Sequence, residues 1–342
     1  MGKECAVKTK IGELALYIPN VEDGWFYQKM LSDPATMAYN AKWFPPDGCI
    51  PNAPEEWKSI QAEWIDASPK RFYAYLKRTF DGAFVGDVNY HFNPSQNNYD
   101  MGIVIYAPER GKGYGKQGLE LLLERAFKVD GISRLHNEFE TSRDAAYRIH
   151  KAVGFKEIGK QDGIISLEIT REEYFQRVIG TKILVIGAPG SGKSTFAKKL
   201  QKVLGLPLVH LDNVWWNSDR THVSREEFDR RLKEILRAPK WIVDGSYSRT
   251  YEVRFKACDT IFYLDFDEET CMNGIIGRVG QQRDDIPWTE NTLDPELVEL
   301  VKSFNQKNRP VLYALIEKYK EKSAYIFKTR AQADEWLNRL TK

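Results

Sequence analysis

One stretch restricts this 342-residue chain more than any other: Gly187-Ala-Pro-Gly-Ser-Gly-Lys-Ser194, preceded by an apolar run over 183–186 and followed by a helix-forming run over 195–204. Glycines at that GxxxxGKS spacing let a backbone curl so that its N–H groups point inward, and the helix that follows adds the positive end of its dipole. The chemistry that fits is a phosphate chain. Gly187, Ala188, Pro189, Gly190, Ser191, Gly192, Lys193, Ser194 and Thr195 are the expected phosphate-binding residues. Lys193 is expected to reach the β- and γ-phosphates of a nucleoside triphosphate, and Ser194 to ligate Mg2+. Further strand patterns at 206–211, 241–244, 261–265 and 324–327 are separated by helical segments, which predicts a parallel sheet with helices on both faces.

The residues before this stretch read differently. Aromatic and β-branched runs at 73–77 and 84–92 flank Asp81-Gly82, a turn signal that predicts an antiparallel hairpin. A strand at 101–106 leads into Pro108-Glu-Arg-Gly-Lys-Gly-Tyr-Gly115, and Leu119, Leu122, Leu123, Ala126 and Phe127 then recur at helical spacing. A strand at 135–139, a helix at 145–152, two strands at 155–158 and 164–169 and a polar helical stretch at 171–177 follow. The fold class is α/β with two domains, 1–178 with a mixed, mainly antiparallel sheet and 179–342 with a parallel one. The length also suits two cores.

Composition narrows the function classes. Hydrophobic residues at 42% and charged residues at 29% describe a globular chain, and no apolar run approaches the roughly 18 residues of a membrane span. Neither a leader nor a myristoylation pattern is read at MGKECA. Cys5, Cys49, Cys258 and Cys271 show no CxxC spacing and the five histidines complete no metal pattern, so a reducing cytoplasm without structural zinc is expected. Residues 181–342 carry +4 (27 basic against 23 acidic) and the rest −2 (23 against 25), which disfavours nucleic acid as a partner.

Arg110-Gly-Lys-Gly-Tyr-Gly115 fits R/QxxGxG/A between a strand and an amphipathic helix, and Val153-Gly-Phe155 closes a second helix. Together they resemble the GNAT N-acetyltransferase family over about residues 10–170. The resemblance implies acetyl-CoA. Its pyrophosphate would lie on the backbone N–H groups of Arg110, Gly111, Lys112, Gly113, Tyr114 and Gly115, and its pantetheine amides on the backbone of Ile105 and Tyr106. At the position where the family has a Tyr that protonates the leaving thiolate stands His150, equally readable as a helix-surface residue. At the position of the family's Asn stands Arg143, a candidate for the coenzyme's phosphates. Glu138 or Glu140 is the expected base, and Trp25, Trp43 and Pro45-Pro46 are expected to shape the amine pocket.

The second half resembles adenylate-kinase-like P-loop proteins, and more closely the topology modulation proteins. The likeness rests on the glycine loop, His210-Leu-Asp212, Trp241-Ile-Val-Asp-Gly-Ser-Tyr-Ser-Arg-Thr250, Asp259-Thr-Ile-Phe-Tyr-Leu-Asp265 and Arg283-Asp-Asp285. Where adenylate kinases carry DGxPRT, this chain has one residue more and no proline. The resemblance implies ATP and Mg2+, with Asp244 holding the metal through water and Asp265 the second candidate for that role. It also implies Asp212 acting on an acceptor hydroxyl, Arg249 pairing with an anion, and Arg278 and Arg283 stabilising the transferring phosphoryl group. Trp215 and Trp216 are readable either as an acceptor wall or as core. Two functions follow: an enzyme with both acetyl and phosphoryl transfer to small molecules, or an acetyltransferase with a nucleotide-binding regulatory module. A nucleic-acid-associated NTPase is the third reading, and the near-neutral charge weighs against it. The oligomeric state is left open.

Overall fold

A computed structural model describes residues 10–50, 54–65, 70–283, 285, 286, 288 and 291–341. Its contacts divide the chain into two compact units between Tyr174 and Phe175.

The first unit runs β1 (Lys10–Ile11), β2 (Leu14–Tyr17), α1 (Gly24–Leu31), α2 (Pro34–Met37), α3 (Pro54–Trp64), β3 (Arg71–Arg78), β4 (Phe84–Asn93), β5 (Asn98–Ile105), α4 (Tyr114–Glu124), β6 (Arg134–Glu140), α5 (Asp144–Ala152), β7 (Lys156–Gln161) and β8 (Ile164–Thr170). Helix α6 (Arg171–Ile179) contains the division. Among the described residues the strands form one eight-stranded sheet in the order β1-β2-β3-β4-β5-β6-β8-β7. The β3–β4 hairpin closes through Gly82, whose φ of +75° suits a residue without a Cβ, and Arg78 N–H donates to the Ala83 carbonyl at 2.8 Å.

Strand alternation assigns the two faces. Tyr73 and Tyr75 point to α1 and α3, where the Tyr75 ring lies 5.2 Å from Phe26 and 6.1 Å from Trp57. Leu76 points the other way, to α4: a Cβ on Gly118 would come within 2.6 Å of Leu76 Cδ1, so only glycine lets that helix lie so close. Every neighbour pair in the sheet is antiparallel except β5 with β6, which are parallel and register only at Tyr99 with Leu135 and Asp100 with His136. Beyond Asp100 the two strands part. β5 stays on β4 as far as Ile105 opposite Gly86, and β6 stays on β8 as far as Glu140 opposite Ile164. A wedge opens within the sheet.

The second unit contains β9 (Lys182–Gly187), α7 (Lys193–Leu204), β10 (Leu208–His210), α8 (Leu211–Trp215), α9 (Arg225–Arg237), β11 (Trp241–Asp244), α10 (Tyr251–Ala257), β12 (Thr260–Leu264), α11 (Glu268–Ile276), α12 (Pro295–Lys307), α13 (Arg309–Lys318), β13 (Ser323–Phe327) and α14 (Arg330–Thr341). Its described strands are all parallel, in the order β10-β11-β9-β12-β13. Phe262 meets Phe196 of α7 and Trp336 of α14, whereas its neighbour Tyr263 meets Tyr313 of α13. Successive residues of a strand point to opposite faces, so helices cover both. Ile183, Leu184, Val185 and Ile186 of the central strand are accordingly all fully buried.

Candidate functional site

In the first unit the wedge and a glycine loop lie at the carboxyl end of β5. Gly111 and Gly113 have φ of +80° and +81°, and Gly113 caps α4 in the left-handed conformation with no side chain on the helix's first N–H groups. Alternating handedness of this kind turns successive N–H groups to one side and makes an anion concavity. A Cβ built on Gly111 would meet nothing within 4 Å, so glycine serves the backbone turn there and leaves open space above it. The Arg110 side chain braces the loop, donating to the carbonyls of Ile105 (3.1 Å), Ala35 (2.9 Å) and Thr36 (2.9 Å). Lys112 pairs with Glu109 at 2.8 Å. Tyr106, expected to offer its backbone to a ligand, spends it inside the protein: its N–H donates to Val85 and its carbonyl accepts from Glu109.

In the second unit the loop after β9 emerges between Asp244, at the end of β11, and Asp265, just past the end of β12. Gly190 and Gly192 have φ of +77° and +88°. A Cβ on Gly190 would come within 2.0 Å of the Cys271 carbonyl, so α11 packs directly on the loop. Lys193 is half-buried with Nζ 3.4 Å from the Ala188 carbonyl. Burial lowers its pKa, Arg278 adds to that, and Asp212, Asp244 and Asp285 oppose it. Asp244 is buried and lies 2.8 Å from His210 Nδ1; burial alone would lower the His210 pKa, but Asp244 and Asp285 raise it. Asp212 accepts from the Tyr247 hydroxyl at 2.7 Å, and burial, with the other two carboxylates, raises its pKa against the pull of Lys193. Asp285 is buried, takes both arms of Arg283 (2.9 and 2.6 Å) and hydrogen-bonds Ser194, and these partners hold its carboxyl far below the usual range despite burial.

Among the described residues the Ser191 hydroxyl is buried in the loop without a hydrogen-bond partner. Arg330, at the start of α14, donates to the Gly190 carbonyl at 2.8 Å, and with Ser191, Thr195, Leu264 and Phe266 it lines a cavity of about 140 Å³ beside the loop.

Other expected residues lie apart from this cluster. Arg249 forms an exposed bidentate pair with Asp229 of α9, at 2.8 and 2.6 Å. Asp265 is bound by Lys328, by Arg309 at 3.0 Å and by the Tyr313 hydroxyl at 2.7 Å, and that company neutralises it as a second metal carboxylate. Trp215 stacks on His222 at 4.5 Å and meets Phe228 edge-on at 5.4 Å, half-buried beside Tyr247. Among the described residues no set of three or more His, Cys, Asp or Glu converges as a metal-binding group, and no helix is long and apolar enough to cross a membrane. Cys49, Cys258 and Cys271 are free thiols; Cys5 and Asp284 lie outside the described residues.

Residues 14–156 match the domain family described as acetyltransferase (GNAT) domain. The first unit carries a GNAT acetyltransferase domain. Similar solved structures include a GNAT-family acetyltransferase from Bacillus anthracis, 18% identical, covering 48% of this chain and 99% of that one with a TM-score of 0.40. Another is spermidine N-acetyltransferase from Vibrio cholerae in complex with CoA and spermine, 16% identical, covering 48% and 98%, TM-score 0.40. Adenylate kinases of Thermotoga petrophila and Thermotoga maritima are 28% identical over 85 residues, 24% of this chain and 38% of theirs. This chain therefore spans about two fifths of the length of the curated relatives it matches.

Within the GNAT domain, His150 occupies neither of the places foreseen for it. It is 1% exposed, on α5, with its ring between Phe139 and Phe155 (centroids 5.2 and 5.0 Å). Nδ1 donates to the Ala146 carbonyl at 2.8 Å, which leaves Nε2 as the acceptor facing Asn137 at 2.9 Å. Both nitrogens are spent inside the core, and burial pushes the pKa down to about 4, too low for a proton donor to a thiolate at neutral pH. The depressed value makes a stability prediction. The neutral ring contributes fully above the unfolded pKa of about 6.5 and loses that contribution as pH falls toward 4, on the order of 3 kcal/mol in all. Urea unfolding of the wild type and of His150→Phe at pH 7.5 and 4.5 separates this contribution from the other groups that titrate in the window: relative to the variant, the wild type should lose most of it between the two pH values.

Arg143 lies over the rings of Tyr39 (4.8 Å) and Phe139 (5.5 Å), where burial lowers its pKa against the pull of Glu140. Glu138 is exposed, accepts from Ser166 at 2.8 Å and sits 3.4 Å from His136 Nε2; Glu140 shares its face of β6 and is half-buried. Trp25 and Trp43 are 55% and 66% exposed, Trp25 resting on Phe26 and Phe84. Sequence reading passes over Asp87, Arg254 and Arg330; Asp87 and Arg330 gain their places from other elements, and Arg254 from the loop over 245–250 just before its own helix. Arg330 alone had a signal, as the first helical residue after the last strand.

Proposed function

We propose that the GNAT domain transfers the acetyl group of acetyl-CoA to the amine of a small molecule, and that the second unit binds Mg-ATP and passes a phosphoryl group to a small acceptor. The observation that carries the first part is the wedge between β5 and β6, with the left-handed glycines and the bare amino end of α4 at its mouth. An extended amide chain such as pantetheine can pair with strand backbone in a gap of this kind, and a pyrophosphate suits N–H groups turned to one side. Residues Gly111 to Gly115 would hold the pyrophosphate. The experiment is calorimetric titration with acetyl-CoA, followed by thiol release against a panel of primary amines. Gly113→Ala, which forces a Cβ at φ +81°, should weaken acetyl-CoA binding at least tenfold. Undiminished affinity in that variant would move the coenzyme elsewhere.

The second part rests on the loop at the opening of α7, on Lys193 among Asp212, Asp244 and Asp285, and on the matched stretch of adenylate kinases. Ser194 and Asp244 are hard oxygen donors suited to Mg2+, and the unpartnered Ser191 hydroxyl suits a phosphate oxygen. Bound Mg2+ would neutralise charge on the phosphates. Asp212, with its raised pKa and Tyr247 partner, would take the proton of an acceptor hydroxyl. Tight nucleotide binding without acceptor-dependent ADP formation would leave a regulatory module instead.

A further inference from the structure

Five carboxyl groups are buried among the described residues: Asp87, Glu124, Asp244, Asp265 and Asp285. Four have a basic side chain within ion-pair distance: Lys128 for Glu124, His210 for Asp244, Arg309 and Lys328 for Asp265, and Arg283 for Asp285. Asp87 has none. Among the described residues its one hydrogen-bond donor is the Tyr73 hydroxyl, at 2.9 Å. Buried charges are ordinarily paired, because an unpaired carboxylate loses its hydration with nothing in return. A carboxyl kept in that state next to a candidate site is a functional-site signal.

Its placement says what would complete it. Register sets Asp87 of β4 between Tyr75 of β3 and Val104 of β5, and Val104 belongs to the stretch of β5 that has already left β6. Asp87 therefore lies one strand in from the open wedge, on the face that carries Tyr73 and Tyr75. Tyr73 and Tyr75 act on it from β3 and Tyr39 from the segment after α2; Arg110 and Arg143 act on Tyr39, and Tyr27 of α1 on Tyr73 and Tyr75. The Tyr75 hydroxyl is already given to the Asp23 carbonyl at 3.1 Å. A carboxylate enclosed by aromatic rings is the arrangement that recognises an ammonium group, by charge and by the ring faces together.

We propose that Asp87 binds the ammonium group of the acceptor and takes its proton, as the base of the acetyl transfer; this rests on the acetyltransferase reading above. The proton moves from R–NH3+ to the Asp87 carboxylate. The freed nitrogen lone pair forms the C–N bond to the thioester carbonyl carbon, and the C–S bond breaks with its electron pair on sulfur. The remaining excess N–H proton neutralises the thiolate, and Asp87 returns its own proton to solvent. Burial holds the Asp87 carboxyl up at about 7, with Tyr73 pulling it partly back, which suits a base working at neutral pH.

The test is the pH profile of kcat/KM for the best amine of the panel, measured for the wild type, Asp87→Asn and Tyr73→Phe. The wild type should lose activity tenfold per pH unit below about 7. Asp87→Asn should lower kcat by roughly 100-fold or more and erase that limb, with acetyl-CoA affinity kept within about twofold. Tyr73→Phe removes the bond that lowers the Asp87 pKa, so it should move the limb to higher pH, an effect no purely structural role would produce. If Asp87→Asn fails to fold, the Tyr73→Phe shift decides alone. An active wild type whose acid limb stays put in Tyr73→Phe overturns the assignment of Asp87 and leaves the acetyltransferase reading intact; a wild type that binds acetyl-CoA but acetylates no amine overturns both.

Discussion

Lys193→Ala should reduce Mg-ATP affinity by at least about a hundredfold while leaving acetyl-CoA affinity within about twofold. The side chain is half-buried at the opening of α7, with three carboxylates acting on it and a single backbone carbonyl near its ammonium group. A charge-assisted hydrogen bond contributes roughly 1.5–3 kcal/mol, and two phosphate oxygens at the lower figure already give a hundredfold. Its loss also removes one cation from beside Asp212, Asp244 and Asp285, which adds repulsion of a bound phosphate chain to lost attraction. Calorimetry with Mg-ATP measures the effect directly. A Lys193→Ala protein that binds Mg-ATP within threefold of the wild type would remove the loop from the nucleotide site.

Arg254→Met should lower the unfolding transition of the second unit by about 6–12 °C. Arg254 is fully buried on α10 and, among the described residues, has no carboxylate within ion-pair distance. Its guanidinium instead donates to the carbonyls of Gly245 (2.7 Å) and Tyr247 (2.9 Å) and to the Thr250 hydroxyl (3.0 Å), and burial lowers its pKa to about 10. It ties down the loop that leaves β11. Methionine fills similar space but leaves those acceptors buried and unpaired, about 1–3 kcal/mol each, offset by relief of the buried charge. A net loss of roughly 3 kcal/mol corresponds to about 2–4 °C per kcal/mol at this size. The first unit's transition serves as the internal standard. Because the same loop carries Tyr247, whose hydroxyl holds Asp212, the proposed phosphoryl transfer should fall with stability, and a variant with unchanged melting would refute the clamp.

The parts of the fold that were legible in the sequence are the parts whose cause is local. The β3–β4 hairpin needs only alternating aromatics and Asp81-Gly82, and both glycine loops need only a strand, left-handed positions and a helix in order. The mixed sheet and the parallel one follow from those patterns. The wedge does not, because where β5 stops pairing with β6 depends on partners contributed by β4 and β8. His150 reads as a plausible acid or a surface residue on a short amphipathic helix; that its side chain enters the core is decided by Asn137, Phe139 and Phe155. Asp87 sits in Gly86-Asp-Val-Asn89, which resembles the outer face of a hairpin. Covering that face falls to α1 and α3, folded from residues well upstream, and nothing near Asp87 announces it.

In backbone hydrogen bonding the eight-stranded sheet is two sheets, β1 to β5 and β6 to β8, fastened at two residue pairs. The unpaired edges of Met101 to Ile105 and Asn137 to Glu140 are sheet edges held inside the domain, where a neighbouring molecule cannot easily add a strand and aggregate. An extended ligand lying there would act as the missing strand, so its binding energy would also be cohesive energy for the sheet. Saturation at 100 times Kd would then raise the domain's stability by about 2.7 kcal/mol, and withdrawal of the ligand would return it to two half-sheets sharing one seam.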